Sequence, residues 1–528
     1  SGNDTPDMTD EHLWSQTEVA LWFSGTLAQS WPKTLPMFAS LVLNLKAIDE
    51  APVTWRALLW SSACSLVATS VPEHSPAVLE WMLQRSPMAA GAVDLFEFVE
   101  LQYAQAVAGV CQHLPQGNVY AAVGERLFQL AFARWPPSTF HDDSLEVQGV
   151  LLQAMRRAMG GDEALLCGSI AQKVLPLLRQ TVDSEAAQAP TEADPQWLAA
   201  QVLFSTLVTL LPPSAPARGS PPHPAVPIWR ECWGYAEAAL LRWPSSSATE
   251  QPAKAAAEAV TRAAHRLPEL FTDALYLLKL SATQQELPDV QLQALREVAL
   301  SVACPPMDAA YAAEHLAVAV AGAVSKLLAQ PRTLLQSPAT LVATFQLLSE
   351  AVRPSPEGMV GLGLCEDRLR AALLAQPAFL ERCLAAVGEA LPHTLSAEAA
   401  AEMARFVSRL LGGGDGAQRA GLHDALAAHL PALLVAVCNA LVSQEHLLEA
   451  GALAEVVELL VRATEVFPAE MPPALGAALG GARASEHSRG QFMRHIAARV
   501  EKRQEADWME QVQRIVSEWQ AENRRLQL

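Results

Sequence analysis

Apolar residues recur along nearly the whole chain at the spacing of one helix face, in segments of about 12–22 residues separated by turn signals. Trp508, Val512, Ile515, Val516 and Trp519 fall at i, i+4, i+7, i+8 and i+11. Glu510, Gln511, Arg514 and Glu518 take the opposite side. No convincing every-second-residue alternation of the kind a half-buried strand needs is found. Leu and Ala dominate, with five isoleucines and five tyrosines in 528 residues. β-branched and aromatic residues favour pleated sheet, so their scarcity favours helix.

The helical segments come in pairs. The pattern predicts 14–31 with 34–46, 54–70 with 75–86, 92–114 with 119–134, and 144–159 with 163–180. It continues with 197–211 and 228–243, 249–266 and 268–282, 288–303 and 308–329, then 335–352 and 363–375. The last pairs are 377–391 with 395–411, 417–442 with 447–466, and 487–503 with 507–524. A pair-to-pair spacing of about 40–50 residues is that of HEAT-type repeats. Pro72, Pro136, Pro137, Pro244, Pro268, Pro305, Pro306, Pro354, Pro356, Pro377 and Pro392 fall near the predicted ends, as residues that cannot continue a helix should. Pro431 lies inside a predicted helix, where a kink is expected. Two stretches interrupt the rhythm: acidic 181–196, and 212–227 with seven prolines. Both read as irregular loops, the second partly disordered. Length alone suggests about three or four domains, but a repeat that resumes on each side of both loops overrides that prior. The expected fold is all-α: a disordered tail over 1–13, then one continuous HEAT-repeat α-solenoid over 14–528, a superhelical arch of antiparallel helix pairs.

Composition excludes several classes. With 51% hydrophobic and 18% charged residues the chain is too apolar for intrinsic disorder. The Leu316–Val324 stretch is among the most apolar and falls short of the roughly 18 residues a membrane span needs, so no membrane partner is expected. The net charge of −19 argues against direct nucleic-acid contact and against an anionic membrane surface, and suits basic partners. The first twenty residues are acidic and polar, unlike a signal peptide. Cys64, Cys111, Cys167, Cys232, Cys304, Cys365, Cys383 and Cys438 lie far apart, none in a CxxC pair. That pattern fits reduced core thiols of a nuclear or cytosolic protein.

Catalytic signals are poor. Gly412–Gly416 (GGGDG) lacks the GK[ST] ending of a phosphate loop and follows no strand, so it reads as a helix–helix turn. His141–Asp143 follows a Trp-Pro-Pro break and reads as an acidic helix start. His423 and His429 are six residues apart, on different sides of a helix, which disfavours zinc. No enzyme activity, metal or cofactor is expected.

Binding signals are diffuse. Lys254, Arg262 and Arg266 are spaced by eight and four residues, with His265 on a neighbouring face; they form a basic stripe for an acidic or phosphorylated cargo, or an ordinary solvated face. Arg156, Arg157, Lys173 and Arg179 form a second basic group with the same two readings. Arg494–Arg503 is basic and interleaved with Glu501 and Glu505; it is a partner contact or paired helix-surface charge. Asp94, Glu97 and Glu100 recur every third residue, as an acidic wall for basic signals or as solubilising charge. Trp14, Trp22, Trp31, Trp55, Trp60 and Trp81 cluster early, and helical spacing assigns them mainly to the core.

Several segments, in order, resemble the C-terminal half of β-karyopherins of the transportin-SR/importin-13 branch. They are WSQTEVALWFSGTLAQSW at Trp14–Trp31, PAVLEWMLQ at Pro76–Gln84, DPQWLAAQVLFSTLVTLL at Asp194–Leu211 and HPAVPIWRECWGYAEAALLRW at His223–Trp243. The series ends with LPALLVAVCNALVSQEHLLEAGALAEVVELL at Leu430–Leu460 and the Phe492–Trp519 tail. The resemblance implies a nucleocytoplasmic transport receptor that encloses protein cargo, contacts nucleoporins and moves between nucleus and cytoplasm. It implies that the Ran GTPase acts through N-terminal repeats this chain lacks, since Trp14 already matches the middle of such a receptor. Receptors of this branch that import serine/arginine-rich splicing factors carry an arginine-rich helix; the matching positions here are Lys254–Arg266, with alanines in place of most of those arginines. The alternative is a HEAT-repeat scaffold of another protein assembly with no transport role.

Overall fold

The computed structural model describes residues 15–17, 19–20, 59, 75–84, 97–112, 114, 120–132, 142–159, 162–183, 195–217, 219–243, 247–284, 288–301, 309–353, 363–412, 416–448, 450–482, 485–501 and 507–527. The predicted helices at 14–31, 34–46 and 54–70 lie outside these, apart from single positions. Among the described residues every regular element is helical and no strand occurs.

The chain divides into two compact units. The first holds α1 (Ser75–Gln84), α2 (Glu97–Gln112), α3 (Ala121–Ala131), α4 (Asp142–Ala158), α5 (Glu163–Val182) and α6 (Pro195–Val208). Helices α7 (Ala225–Leu241) and α8 (Ser247–Arg266) each contribute to both units. The second unit continues with α9 (Phe271–Ala282), α10 (Pro288–Ser301), α11 (Ala309–Leu328), α12 (Pro331–Leu335), α13 (Pro338–Ala351), α14 (Gly363–Leu374) and α15 (Pro377–Ala390). It ends with α16 (Ala397–Leu411), α17 (Gly416–Ser443), α18 (Ala450–Val466), α19 (Met471–Gly481), α20 (Glu486–Val500) and α21 (Trp508–Gln527).

Within each unit, helices pack on elements two or three positions further along as well as on their neighbours. In the first unit α2 packs on α4 and α4 on α6, while α3–α4 and α5–α6 form hairpins. In the second, α10, α13, α16, α18 and α20 stack in succession as one layer. The other layer runs through α9, α11, the α14–α15 pair, α17 and α19. Leu426, Leu430 and Val437 of α17 meet Val407 of α16 and Leu460 of α18 around a void of about 20 Å³, so the core is a continuous seam between layers. Phe345 and Phe406 make a tilted ring contact, 5.9 Å between centroids, across α13 and α16.

Local signals explain the ends. Asp162, Ser396 and Ser485 accept from the backbone N–H three residues on, at 2.9, 3.2 and 3.2 Å, satisfying first-turn donors of α5, α16 and α20. Prolines enter first turns, where a missing N–H costs nothing. That rule corrects two readings. Helix α7 begins at Ala225 with Pro227 in its first turn, so the proline-rich loop ends earlier than predicted. Helix α19, MPPALGAALGG, was not predicted at all. The loop between α6 and α7 is described apart from residue 218, and Gly219 there has φ 84°, a left-handed conformation suited to glycine. Helix α17 runs through Pro431.

The predicted pairing also shifts. The sequence joins 377–391 to 395–411 as one repeat. The structure keeps that pair in opposite layers, but it also puts α14 in the same layer as α15, both against α11. Pro377 breaks a single layer element in two rather than closing a repeat. The span argument needs correcting as well: by length and composition, Ala310–Leu328 and Leu422–Ser443 are long and apolar enough to cross a membrane. Helices rich in alanine and leucine reach that threshold without one long-chain apolar run, and here 56% of each segment is buried within the protein.

Candidate functional site

The two predicted basic groups have different local fates. On α8, Lys254, Arg262 and Arg266 are all exposed, four or eight residues apart, but Glu258 is exposed on the same row between them. The row therefore carries one acid among three cations rather than an uninterrupted basic stripe. The Arg266 guanidinium donates to the Pro213 carbonyl. His265 is pushed down to about 4, first by burial and then by Arg266 and Arg262, so it is neutral at pH 7.

The second group is dispersed. Arg156 donates to the Thr209 carbonyl at 3.0 Å and to the Leu211 carbonyl, and pairs with Glu163 at 3.1 Å. It caps backbone carbonyls beyond α6. Lys173 pairs with Glu125 of α3 at 2.6 Å and lies 4.3 Å from the Phe128 ring centre; its hydrogen bond draws the Glu125 carboxyl below the usual range. Arg179 forms an exposed pair with Asp183 at 3.5 Å, and Arg157 is exposed. Glu100 is buried on α2 beside Tyr103 and Ala104, which takes it off any solvent-facing acidic wall. Asp94 lies outside the described residues, as does the Glu97 side chain. So do Trp14, Trp22, Trp31, Trp55 and Trp60, and the side chain of Trp81.

Side chains that cap carbonyls in a neighbouring repeat are a theme that sequence reading missed. Gln520 of α21 donates to the Leu441 and Gln444 carbonyls at 2.8 and 2.9 Å. Gln444 donates to the Leu391 carbonyl at 3.1 Å, and Arg370 to the Leu410 carbonyl at 3.3 Å. Each satisfies acceptors that a helix end leaves open.

The second unit carries an unforeseen ion-pair lattice across α10, α13, α16 and α18. Glu350 of α13 lies between Arg296 of α10, at 3.9 Å, and Arg409 of α16, at 3.2 Å, with Arg353 at 3.7 Å. Arg405 of α16 pairs with Glu402 at 2.5 Å and with Glu455 of α18 at 2.8 Å. Burial pushes the Glu402 carboxyl up, against the pull of Arg405.

Two clefts of similar size occur in this unit. One, about 350 Å³, lies among the ends of α9, α10, α11 and α13; hydroxyls of Thr283, Thr333 and Ser337 line it with Lys326 and Asp289. The other, about 360 Å³, lies between α20 and α21 and is lined by Gln491, Arg494, His495, Ala498, Trp508, Arg514 and Ile515.

No catalytic constellation assembles among the described residues. No group of three His, Cys, Asp or Glu there could hold a metal. Cys111, Cys167, Cys232, Cys383 and Cys438 are buried and unbridged. Burial pushes Cys111, Cys232 and Cys438 up to about 12, Cys167 to about 11, and Cys383 further up, so these thiols stay protonated and unreactive. Cys64 and Cys304, with the Cys365 side chain, lie outside the described residues. Gly412 closes α16 as its C-cap, as a helix–helix turn requires, and α4 begins at Asp142.

No protein-family model matches the chain, and no curated protein matches it. A solved structure described as importin-13 in its cytosolic state does: the TM-score is 0.68 at 10% sequence identity, covering 97% of this chain and 55% of that one. The chain spans about half the length of that structure. The fold is therefore an all-α HEAT-repeat solenoid, similar to that of the importin-13 structure.

Proposed function

We propose that the chain is the cargo-binding C-terminal portion of a nucleocytoplasmic transport receptor of the importin-β family, of the transportin-SR/importin-13 branch. The observation that carries this reading is the backbone likeness to importin-13 over 97% of the chain. The serial order of short motifs from Trp14 to Trp519 supports it independently. On this reading 14–528 is one continuous solenoid that wraps protein cargo through many weak polar contacts, and small rotations between repeats open or tighten it. It moves between nucleus and cytoplasm by contacts with nucleoporins, and Ran acts through repeats upstream of this chain. Lys254, Arg262, Arg266, Arg157 and Arg179 are the basic cargo-contact candidates that remain exposed; Arg156 and Lys173 serve the fold first.

The test uses the parent protein that carries this chain. Cargo captured from nuclear extract should be released by Ran-GTP, and labelled protein should accumulate at nuclear pores of permeabilised cells. A single stoichiometric complex indifferent to Ran-GTP would instead identify a HEAT scaffold of another assembly.

A further inference from the structure

The cleft between α20 and α21 combines a fixed aromatic floor with arginines on its rim. Its floor is buried and apolar: Trp508 and Ile515 are both inside the core. The indole is fixed from two sides. Its N–H donates to the His495 carbonyl at 2.9 Å, and the Arg499 guanidinium lies 5.2 Å from the ring centre. The rim carries hydrogen-bond donors. Arg494 is exposed and uses only its Nε, donating to the Gly490 carbonyl at 3.1 Å. Arg514 is exposed and forms no ion pair among the described residues, although Glu510 and Glu518 stand one turn away on either side. The Gln491 side-chain amide nitrogen donates to Nε2 of His487 at 2.8 Å.

Charge distinguishes this region from the rest of the chain. Residues 486–528 hold eight Lys and Arg against seven Asp and Glu, where the whole chain holds 37 against 56. Arginine recognises carboxylates through paired parallel hydrogen bonds, and a fixed aromatic floor gives an apolar side chain somewhere to anchor. A volume of about 360 Å³ has room for two side chains, on the order of ten waters.

We propose that this cleft docks an acidic peptide segment of a partner protein, with carboxylates held by Arg494 and Arg514 and an adjacent apolar side chain on Trp508 and Ile515. The transport reading supplies only the partner's role, as cargo; the site itself follows from the geometry.

The test is fluorescence anisotropy on the full chain with a labelled peptide of about twelve residues, rich in Asp and Glu around one Leu. Saturable binding is expected, weakening with added salt. The Arg494→Glu/Arg514→Glu double variant should lose at least about tenfold in affinity, with an unchanged thermal transition because both side chains are exposed. Arg382→Glu/Arg525→Glu, with the same change in net charge at other sites, should bind within about twofold of the parent. No saturation up to about 1 mM, equal binding of a Lys-rich peptide, or equal losses in the two double variants would overturn the proposal. A phosphoserine peptide bound about tenfold tighter than the carboxylate peptide would overturn the choice of carboxylate as the ligand. Indifference to Ran-GTP with intact peptide binding would sink the transport reading and leave the cleft standing.

Discussion

Arginines in two places of the same unit behave in opposite ways. Across α10, α13, α16 and α18, Arg296, Arg405 and Arg409 each meet a carboxylate on an adjacent helix of their layer. In the α20–α21 cleft, Arg494 and Arg514 keep their guanidinium forks toward solvent. One set works as internal cement and the other as a handle. Residue type alone does not distinguish them; what does is whether an acid stands on the adjoining helix of the same layer.

The sharpest way to break this contrast is Glu350→Ala. It leaves Arg296 and Arg409 half-buried around a missing carboxylate, and should lower unfolding stability by about 2–3 kcal/mol in urea titration. A loss below about 0.5 kcal/mol would mean the lattice is surface decoration. Acid titration tests the third basic locus, on α8. His265 is held near 4 against an ordinary value of 6.5. Its contribution is therefore present above pH 6.5 and lost as pH falls toward 4, on the order of 3 kcal/mol. His265→Gln should flatten the stability profile in that window, and an unchanged slope would assign the loss to carboxylates. Arg156→Ala uncaps the Thr209 and Leu211 carbonyls and should cost about 1–2 kcal/mol, with faster amide exchange around the end of α6. The smallest effect sharpens the contrast from the other side: Arg494→Glu/Arg514→Glu should change stability by no more than about 0.5 kcal/mol, while weakening peptide docking at least about tenfold.

Much of the helix inventory was legible because a period of 3.6 in apolar residues is written locally. Described helices from α2 onward begin or end within a few residues of their predicted limits. The exceptions have one physical cause, the tolerance of first turns for proline. No helix is predicted over MPPALGAALGG, yet Pro472 and Pro473 occupy positions whose N–H groups have no partner in any helix. Pro377 was legible as a break, but whether it closes a repeat or divides one layer element depends on stacking, which local pattern does not encode. The same limit hides the lattice. Arg405 and Glu455 are 50 residues apart, and nothing near either one announces the other. Arg156 and Arg266 look like ligand-binding cations in sequence because their acceptors, Leu211 and Pro213, are backbone oxygens, invisible in a string of side chains.

Stacking helices in layers on elements two or three positions away confers an asymmetric tolerance to length variation. Extra residues in a hairpin turn leave every inter-helix register where it was, so such turns can grow. One extra residue inside α16 would rotate everything downstream in that helix by about 100°, carrying Arg405 away from Glu455 and Arg409 away from Glu350. Natural insertions and deletions in such a chain should therefore gather at the hairpin tips and spare the helix interiors.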